Sequence, residues 1–277
     1  MLNIIVDVVI NMDIGSFYSL LWNNYIEVTP QAKAIHNLFT SYGESVVNDH
    51  VAFRTFSNSP IAIDKLEAVL FSLGYQRFDN YVFEAKKLVA CSYNHKEKTA
   101  PKVFLSELQR QQLSAQAQGI LDEIVFQIPV DCVQDPSIFW KGLLWRMPTA
   151  FVYHKLLKES EYAAWLVTMG LRVNHFTISL NHLKQIANLQ SVIDLLKQNN
   201  FSVNAIGGEI KGSPNTLLEQ AATLADNISV EFSDGKCQRV PSCFYEFAKR
   251  YPTKDGELFQ GFVTNNADKI FESTNSG

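Results

Sequence analysis

The alternation of hydrophobic and polar positions predicts a first unit of five elements. Residues 48–56, "NDHVAFRTF", are typical of a strand, and the segment "SPIAIDKLEAVLFSLGY" has apolar residues at helical spacing. Ser59 and Pro60 favour a helix start there, and Gly74 favours its end. Three strand-like runs follow, "YQRFDNYVF", "KLVACSYN" and "PKVFLSEL", so the predicted order is β-α-β-β-β.

The same order of elements returns about 125 residues later, as in an internal repeat. This spacing is the distance along the chain between the first strands of the two units. A strand in "LRVNHFTISL" precedes a helix in "HLKQIANLQSVIDLLKQNN". Strands are then expected in "FSVNAIGGEIKGS", "NISVEFSD" and "SCFYEFAKR". Between the two units, "SELQRQQLSAQAQGILDEIV" and "ESEYAAWLVTM" read as helical around a proline-punctuated connector. Ahead of both, "EVTPQAKAIHNLF" predicts a helix with Thr29 as N-cap and Pro30 at its first position.

These patterns predict an α+β chain in five segments. They are an N-terminal helical segment at 1–45, a first βαβββ module at 46–106, a helical insert at 107–168, a second βαβββ module at 169–250, and a C-terminal tail at 251–277 packed on the core.

Composition narrows the class of protein. Of 277 residues, 47% are hydrophobic and 19% charged, and the net charge is -4, which disfavours a nucleic-acid partner. The N-terminal "MLNIIVDVVINM" is short and interrupted by Asp7, so we expect neither a signal peptide nor a membrane span, and Met12 is an alternative start. The four cysteines fit no metal or redox spacing, and we expect free thiols in the cytoplasm.

Polar side chains on the predicted strands are the candidates for chemistry. Side chains two apart on a strand share a face, so His50 shares one with Arg54, and His175 shares one with Thr177. Packing of the two units by a pseudo-twofold axis would bring the two histidines together. Glu246, between aromatic residues of the last strand, supplies a carboxylate, and two His with one carboxylate is the composition of a facial metal triad.

Each of these candidates has an alternative interpretation. A histidine on an apolar strand can be a hydrogen-bonded core residue, and Arg54 can be a structural ion pair or a bidentate carboxylate anchor. Glu107 is a further ligand candidate or a helix-start acid, and Asp49, on the opposite face from His50, is expected only as a structural partner. The remaining His36, His154 and His182 are less favoured as ligands. The chain has no GxSxG, dinucleotide-binding GxGxxG or P-loop motif.

Four motifs in order resemble the 2-oxoadipate dioxygenase/decarboxylase family of the vicinal oxygen chelate superfamily. They are "VNDHVAFRTF", "AAWLVTMGLRVNHFTISLN", "FYEFAKR" and "GFVTNNADKIFEST". The resemblance implies two modules of vicinal oxygen chelate type that form a curved mixed sheet around a metal site. It also implies Fe(II), or another divalent metal that can substitute for it, held by His50, His175 and Glu246. The substrate would be bound by Arg54, also the catalytic candidate, and by Thr177.

The implied reaction converts 2-oxoadipate and O2 to 2-hydroxyglutarate and CO2 in lysine catabolism. The partners would be a 2-oxo acid and O2, without nucleic acid or membrane, and a homodimer is one option for the assembly. Two other functions stay open for the same fold. One is a glyoxalase-like Zn or Ni isomerase or hydrolase, and the other is a non-catalytic module that binds a small molecule.

Overall fold

A computed structural model describes residues 12–274 and divides into two compact units. One unit contains the described residues up to Tyr25 together with 52–173 and 229–240, and the other contains 26–51, 174–228 and the residues from Pro241 onward. The expectations for the first eleven residues lie outside the described part of the chain. The division into five segments stays a prediction.

The described residues form eight α-helices and ten strands. The helices are α1 (Ile14–Val28), α2 (Pro30–Ser41), α3 (Ile63–Ser72), α4 (Ala115–Val125), α5 (Ala150–Leu157), α6 (Glu161–Met169), α7 (Leu189–Gln198) and α8 (Thr264–Ile270). The strands are β1 (Asn48–Phe56), β2 (Tyr75–Phe83), β3 (Leu88–His95), β4 (Lys102–Leu108), β5 (Val173–Ser179), β6 (Lys211–Ser213), β7 (Leu218–Ala222), β8 (Asn227–Glu231), β9 (Cys237–Pro241) and β10 (Phe244–Arg250).

The first unit has the predicted β-α-β-β-β order, with strands in the spatial order β2-β3-β4-β1. Gly74, at a φ of +95°, follows α3 as expected. The predicted start of α3 is wrong, because the Ser59 hydroxyl donates to the Phe56 carbonyl and the helix begins at Ile63. The Ile63 N–H donates instead to the Glu107 carboxylate at 2.8 Å, so an acid distant in sequence satisfies a helix N-terminus.

The boundary between the units falls within β1, and the second unit holds residues 48–51 of β1 followed by the strand order β5-β10-β7-β6. Strand β10 runs parallel to β5 and antiparallel to β7, and its register places Glu246 opposite Thr177. Strand β7, "LEQAA", was not predicted, because its residues have low strand propensity and pairing with β10 determines its structure. The segment "NISVEFSD" does contain a strand, β8, but it pairs with β9 in a separate two-stranded sheet.

Two further helices, besides α3, differ from the sequence prediction. Helix α7 begins at Leu189 rather than near residue 182, because the Asn188 side chain caps it by accepting the Ser191 N–H. Helix α5, in the predicted insert, was not anticipated and is capped by the Thr149 hydroxyl. The two helices predicted in this stretch, α4 and α6, are both present.

Two observations concern residues 12–274 as a whole. The cysteines are all free thiols, as the sequence indicated. In this part of the chain, no helix combines the length and the apolar character that a membrane crossing requires.

Candidate metal centre

Three strands of the second unit each contribute one buried ligand to a single cluster. His50 comes from β1, His175 from β5 and Glu246 from β10, and one ligand atom from each lies within 4.8 Å of the others. His175 Nε2 is 3.2 Å from Glu246 Oε2, and His50 Nε2 is 3.5 Å from Glu246 Oε1. The sequence candidates for metal ligation therefore meet, and they do so beside Thr177.

The orientation of both imidazoles follows from the residue that precedes each histidine. The Asp49 carboxylate lies 2.7 Å from His50 Nδ1, and the Asn174 amide oxygen lies 3.1 Å from His175 Nδ1. A carboxylate or amide oxygen can only accept, so Nδ1 carries the proton in each ring. Each Nε2 is therefore left with a lone pair directed at the cluster, and the Thr177 hydroxyl lies 3.0 Å from His50 Nε2.

The cluster fits a divalent metal ion. Two nitrogen lone pairs and a carboxylate converge without a proton to share, an arrangement that a cation stabilises. Glu246 Oε2 is fully buried and has no hydrogen-bond partner. Ligand atoms at about 2.1 Å from a metal and at right angles lie about 3 Å apart, close to the two separations found here.

Glu246 is held as an anion in the core. Burial raises the pKa of its carboxyl group, but positive charge at the positions of His50 and His175 and the hydrogen bond from the Gln220 amide outweigh that effect, and the net shift is downward. Gln220 Nε2 donates to Glu246 Oε1 at 2.7 Å, and Asn266 Nδ2 in turn donates to Gln220 Oε1 at 3.2 Å. This chain orients the carboxylate toward the histidines.

Asp49 lies outside the ligand set, as expected, and acts as a structural partner that holds His50. Its carboxylate accepts two hydrogen bonds from Arg250, at 2.7 and 2.8 Å, in addition to the one from His50. Burial raises the pKa of Asp49, yet Arg250 and His50 hold it well below the usual range. Strand alternation placed Asp49 on the other face and could not reveal this bond, which runs between neighbours in the sequence.

Arg54 lies in the first unit, where its contacts are those of a structural ion pair, and its role as a substrate anchor stays a prediction. Its guanidinium is 1% exposed and lies 3.1 Å from Glu161 Oε1, as an ion pair would require. The rings of Tyr162 and Trp165 lie 4.9 and 4.8 Å from its Cζ. All three partners belong to α6, so this helix fixes the guanidinium.

The remaining candidates have other partners. Glu107 accepts hydrogen bonds from the Ile63 backbone and the Gln109 side chain. His154 contacts Gln238, and His182 contacts Ser179. Within residues 12–274, His50, His175 and Glu246 form the one group of three side chains arranged to hold a metal.

Comparison with known proteins identifies the family. The family model described as 2-oxoadipate dioxygenase/decarboxylase matches residues 15–128 and 137–259. The chain belongs to this family. A curated relative, the chloroplastic 2-oxoadipate dioxygenase/decarboxylase of Arabidopsis thaliana, is 33% identical over 90% of this chain and 74% of its own length. The chain is accordingly an oxygenase-type enzyme.

Solved structures agree with this assignment. The hydroxyglutarate synthase of Oryza sativa, in complex with 2-oxoadipate, has a TM-score of 0.87 and 31% identity over 95% of this chain and 93% of its own. A Shewanella frigidimarina NCIMB 400 protein, named as a hydrolase candidate, has a TM-score of 0.86 and 40% identity over 92% of this chain and 99% of its own.

A more distant structure confirms the predicted fold class. A protein assigned to the glyoxalase superfamily from Ralstonia eutropha JMP134 has a TM-score of 0.74 at 20% identity, over 89% of this chain and 84% of its own. The fold is α+β with a mixed sheet, of vicinal oxygen chelate type.

Proposed function

We propose that this enzyme is an Fe(II)-dependent oxygenase that converts 2-oxoadipate and O2 to 2-hydroxyglutarate and CO2. The observation that carries the proposal is the buried His50, His175 and Glu246 cluster in a chain of this family. The reaction balances, because the two oxygen atoms of O2 leave in the products and no further reductant is consumed. A role in lysine catabolism and a cytoplasmic location belong to the same proposal.

The ligand set suits this chemistry. When bound, Fe(II) would supply oxygen activation and open positions for the keto and carboxylate oxygens of the substrate. Two neutral imidazoles and one carboxylate balance only one charge of a divalent ion, so the pocket favours an anionic substrate. Asp49 adds no net charge, because Arg250 neutralises it.

Two further residues are proposed to contact the substrate. The Thr177 hydroxyl is fully buried and already lies beside a ligand atom, so it can donate to an oxygen of the bound substrate. Arg54 is proposed to bind the substrate carboxylate that does not bind the metal, because its fork matches a carboxylate bidentately. Glu161 would then hold the guanidinium in position.

The test of the function is anaerobic Fe(II) reconstitution followed by an oxygen-electrode assay over a panel of 2-oxo acids. With 2-oxoadipate, we expect O2 consumption in equal amounts with CO2 release and 2-hydroxyglutarate formation. Glu246→Gln is expected to lower kcat/KM by at least about a hundredfold and to lose bound metal, because it removes an anionic ligand. His182→Ala, a histidine outside the cluster, serves as the control with full metal content.

Two outcomes would favour the alternatives. Turnover that proceeds unchanged without O2 would support a glyoxalase-like Zn or Ni isomerase or hydrolase. A reconstituted protein that holds no metal would support a binding module without catalysis.

The proposed role of Arg54 is tested by Arg54→Lys. A lysine keeps the charge but loses the bidentate fork, so we expect the KM for 2-oxoadipate to rise at least about tenfold. The inhibition constant of 2-oxohexanoate, which lacks the second carboxylate, should change little. An equal rise in the KM for 2-oxoadipate and in the inhibition constant of 2-oxohexanoate would indicate that Arg54 serves only the ion pair with Glu161.

A further inference from the structure

Arg250, at the end of β10, connects the metal centre to the C-terminal part of the chain. Its side chain is 3% exposed, and its Nε and Nη2 donate to the two oxygens of Asp49. Its Nη1 donates to two backbone carbonyls, of Phe259 at 3.0 Å and of Gly261 at 2.7 Å. One guanidinium therefore fixes both the partner of His50 and the segment that precedes α8.

The same segment contacts His50 directly. The Phe262 ring meets the His50 imidazole edge-on, with centroids 4.8 Å apart, and the Arg250 Cζ lies 5.2 Å from the Phe262 ring. The imidazole is thus held on one side by the Asp49 carboxylate and on another by an aromatic ring. Arg250 positions both of these groups.

A second connection runs from α8 to the other end of the triad. Asn266, 3% exposed, donates to Gln220 Oε1 and to the Leu218 carbonyl, and Gln220 donates to Glu246. Residues 259–266 therefore reach His50 through Arg250 and Glu246 through Asn266. All of these groups lie in the second unit.

We infer that Arg250 is a positioning residue of the metal centre and that it couples metal binding to the order of residues 259–266. This inference rests on the proposed metal centre but not on the reaction performed there. Coupling is reciprocal, so a metal that fixes His50 also stabilises the segment, and a loosened segment weakens the metal.

The experiment uses Co(II) alone as the probe, under anaerobic conditions, with the full-length protein. Arg250→Lys cannot hold both Asp49 oxygens and both carbonyls, and we expect the Kd for Co(II) to rise by about 10–100-fold. We also expect a change in the visible Co(II) absorption, because the His50 ring is no longer fixed. In the wild type, Co(II) should slow amide hydrogen exchange in residues 259–266, and in Arg250→Lys this protection should disappear.

Arg110→Lys is the matched control. Arg110 is also a buried arginine that binds one carboxylate, Asp122, and two backbone carbonyls, of Ser57 and Asn58, but it lies in the first unit. It is expected to keep the wild-type Kd within about twofold and the wild-type spectrum. Circular dichroism and thermal unfolding establish that each variant is folded.

If Arg250→Lys does not fold, Asn266→Ala tests the second connection. It is expected to weaken Co(II) binding by about 3–10-fold, less than Arg250→Lys, because Asn266 holds Gln220 by one hydrogen bond between neutral groups, whereas Arg250 holds Asp49 by two charged ones. The inference would be overturned if a folded Arg250→Lys variant kept the wild-type Kd for Co(II), absorption spectrum and exchange protection. If Arg250→Lys does not fold, the same three results in Asn266→Ala would overturn it. A protein whose Co(II) binding depends on Arg250, but which consumes no O2 with 2-oxoadipate after Fe(II) reconstitution, would instead overturn the proposed function alone.

Discussion

The two ligand histidines occupy corresponding strands but have different Nδ1 partners. His50 faces the carboxylate of Asp49, whereas His175 faces the neutral amide of Asn174. An anionic partner makes an imidazole a stronger electron donor than a neutral partner does. The proposed metal centre is therefore electronically unequal on its two histidine sides, although β1 and β5 share the same sequence pattern.

Lys211 is a buried side chain, and burial destabilises its charged form. Its side chain is 1% exposed, and its Nζ donates to the Asn204 carbonyl at 2.5 Å. Burial lowers the pKa of Lys211 from 10.5 to about 8, and the charges of Glu246 and Glu209 only partly counter this effect. As the pH rises, Lys211 therefore loses its proton at a lower pH in the native state than in the unfolded chain.

This difference predicts a rise of stability with pH. Between the native value of about 8 and the unfolded value of 10.5, the unfolded state binds more protons, so the free energy of unfolding increases as the pH rises. Lys211→Met should remove up to about 3 kcal/mol of this increase, measured by urea unfolding of the metal-free protein.

The control for this measurement is Lys65→Met. Lys65 has 58% of its side chain exposed, so its removal should leave the pH dependence as in the wild type. Equal slopes for wild type and Lys211→Met would show that Lys211 keeps its proton in the native state.

At the scale of elements, the turn after α6 depends on two glycines. Gly170, the C-cap of α6, has a φ of +72°, and a Cβ there would fall on the backbone carbonyl of Gly142. The backbones of Gly142 and Leu171 exchange two hydrogen bonds, at 3.0 and 2.8 Å. This close approach ties the connector before α5 to the start of β5.

Gly170→Ala and Gly119→Ala are therefore expected to change stability in opposite directions. The first should lower the free energy of unfolding by at least about 2–3 kcal/mol, because it combines a strained backbone with a clash. Gly119, inside α4, has open space around its Cα, and an alanine there should stabilise by about 1 kcal/mol. Thermal or urea unfolding measures both. Two changes of the same sign would contradict this account of the turn.

Strand β7 shows where pattern-based prediction of elements reaches its limit. Its "LEQAA" sequence lacks β-branched and aromatic residues, and it becomes a strand because β10 on one side and β6 on the other pair with it. The Gln220 side chain, which orients Glu246, was missed together with the strand. A residue that acts through tertiary pairing leaves no local signal in the sequence.

For the whole molecule, the cluster of His50, His175 and Glu246 could be predicted because each residue lies on a strand with strong periodicity. His50 and His175 stand at corresponding places of a repeated pattern, and Glu246 stands out as an acid among aromatic residues. Arg250 and Asn266 could not be predicted, because their contacts with the centre depend on how the last residues of the chain fold back. The motif match to the family implied the ligands and not these supporting contacts.

The positions of the candidate ligands along the chain determine at what stage of protein synthesis the site becomes complete. His50 leaves the ribosome early, and the first unit has most of its residues by Val173, whereas Glu246 and the carbonyls held by Arg250 follow much later. A nascent chain that ends between His175 and Gly261 carries both histidines without the completed centre. The proposed metal can therefore meet its complete site only late in synthesis, after most of the first unit has been made.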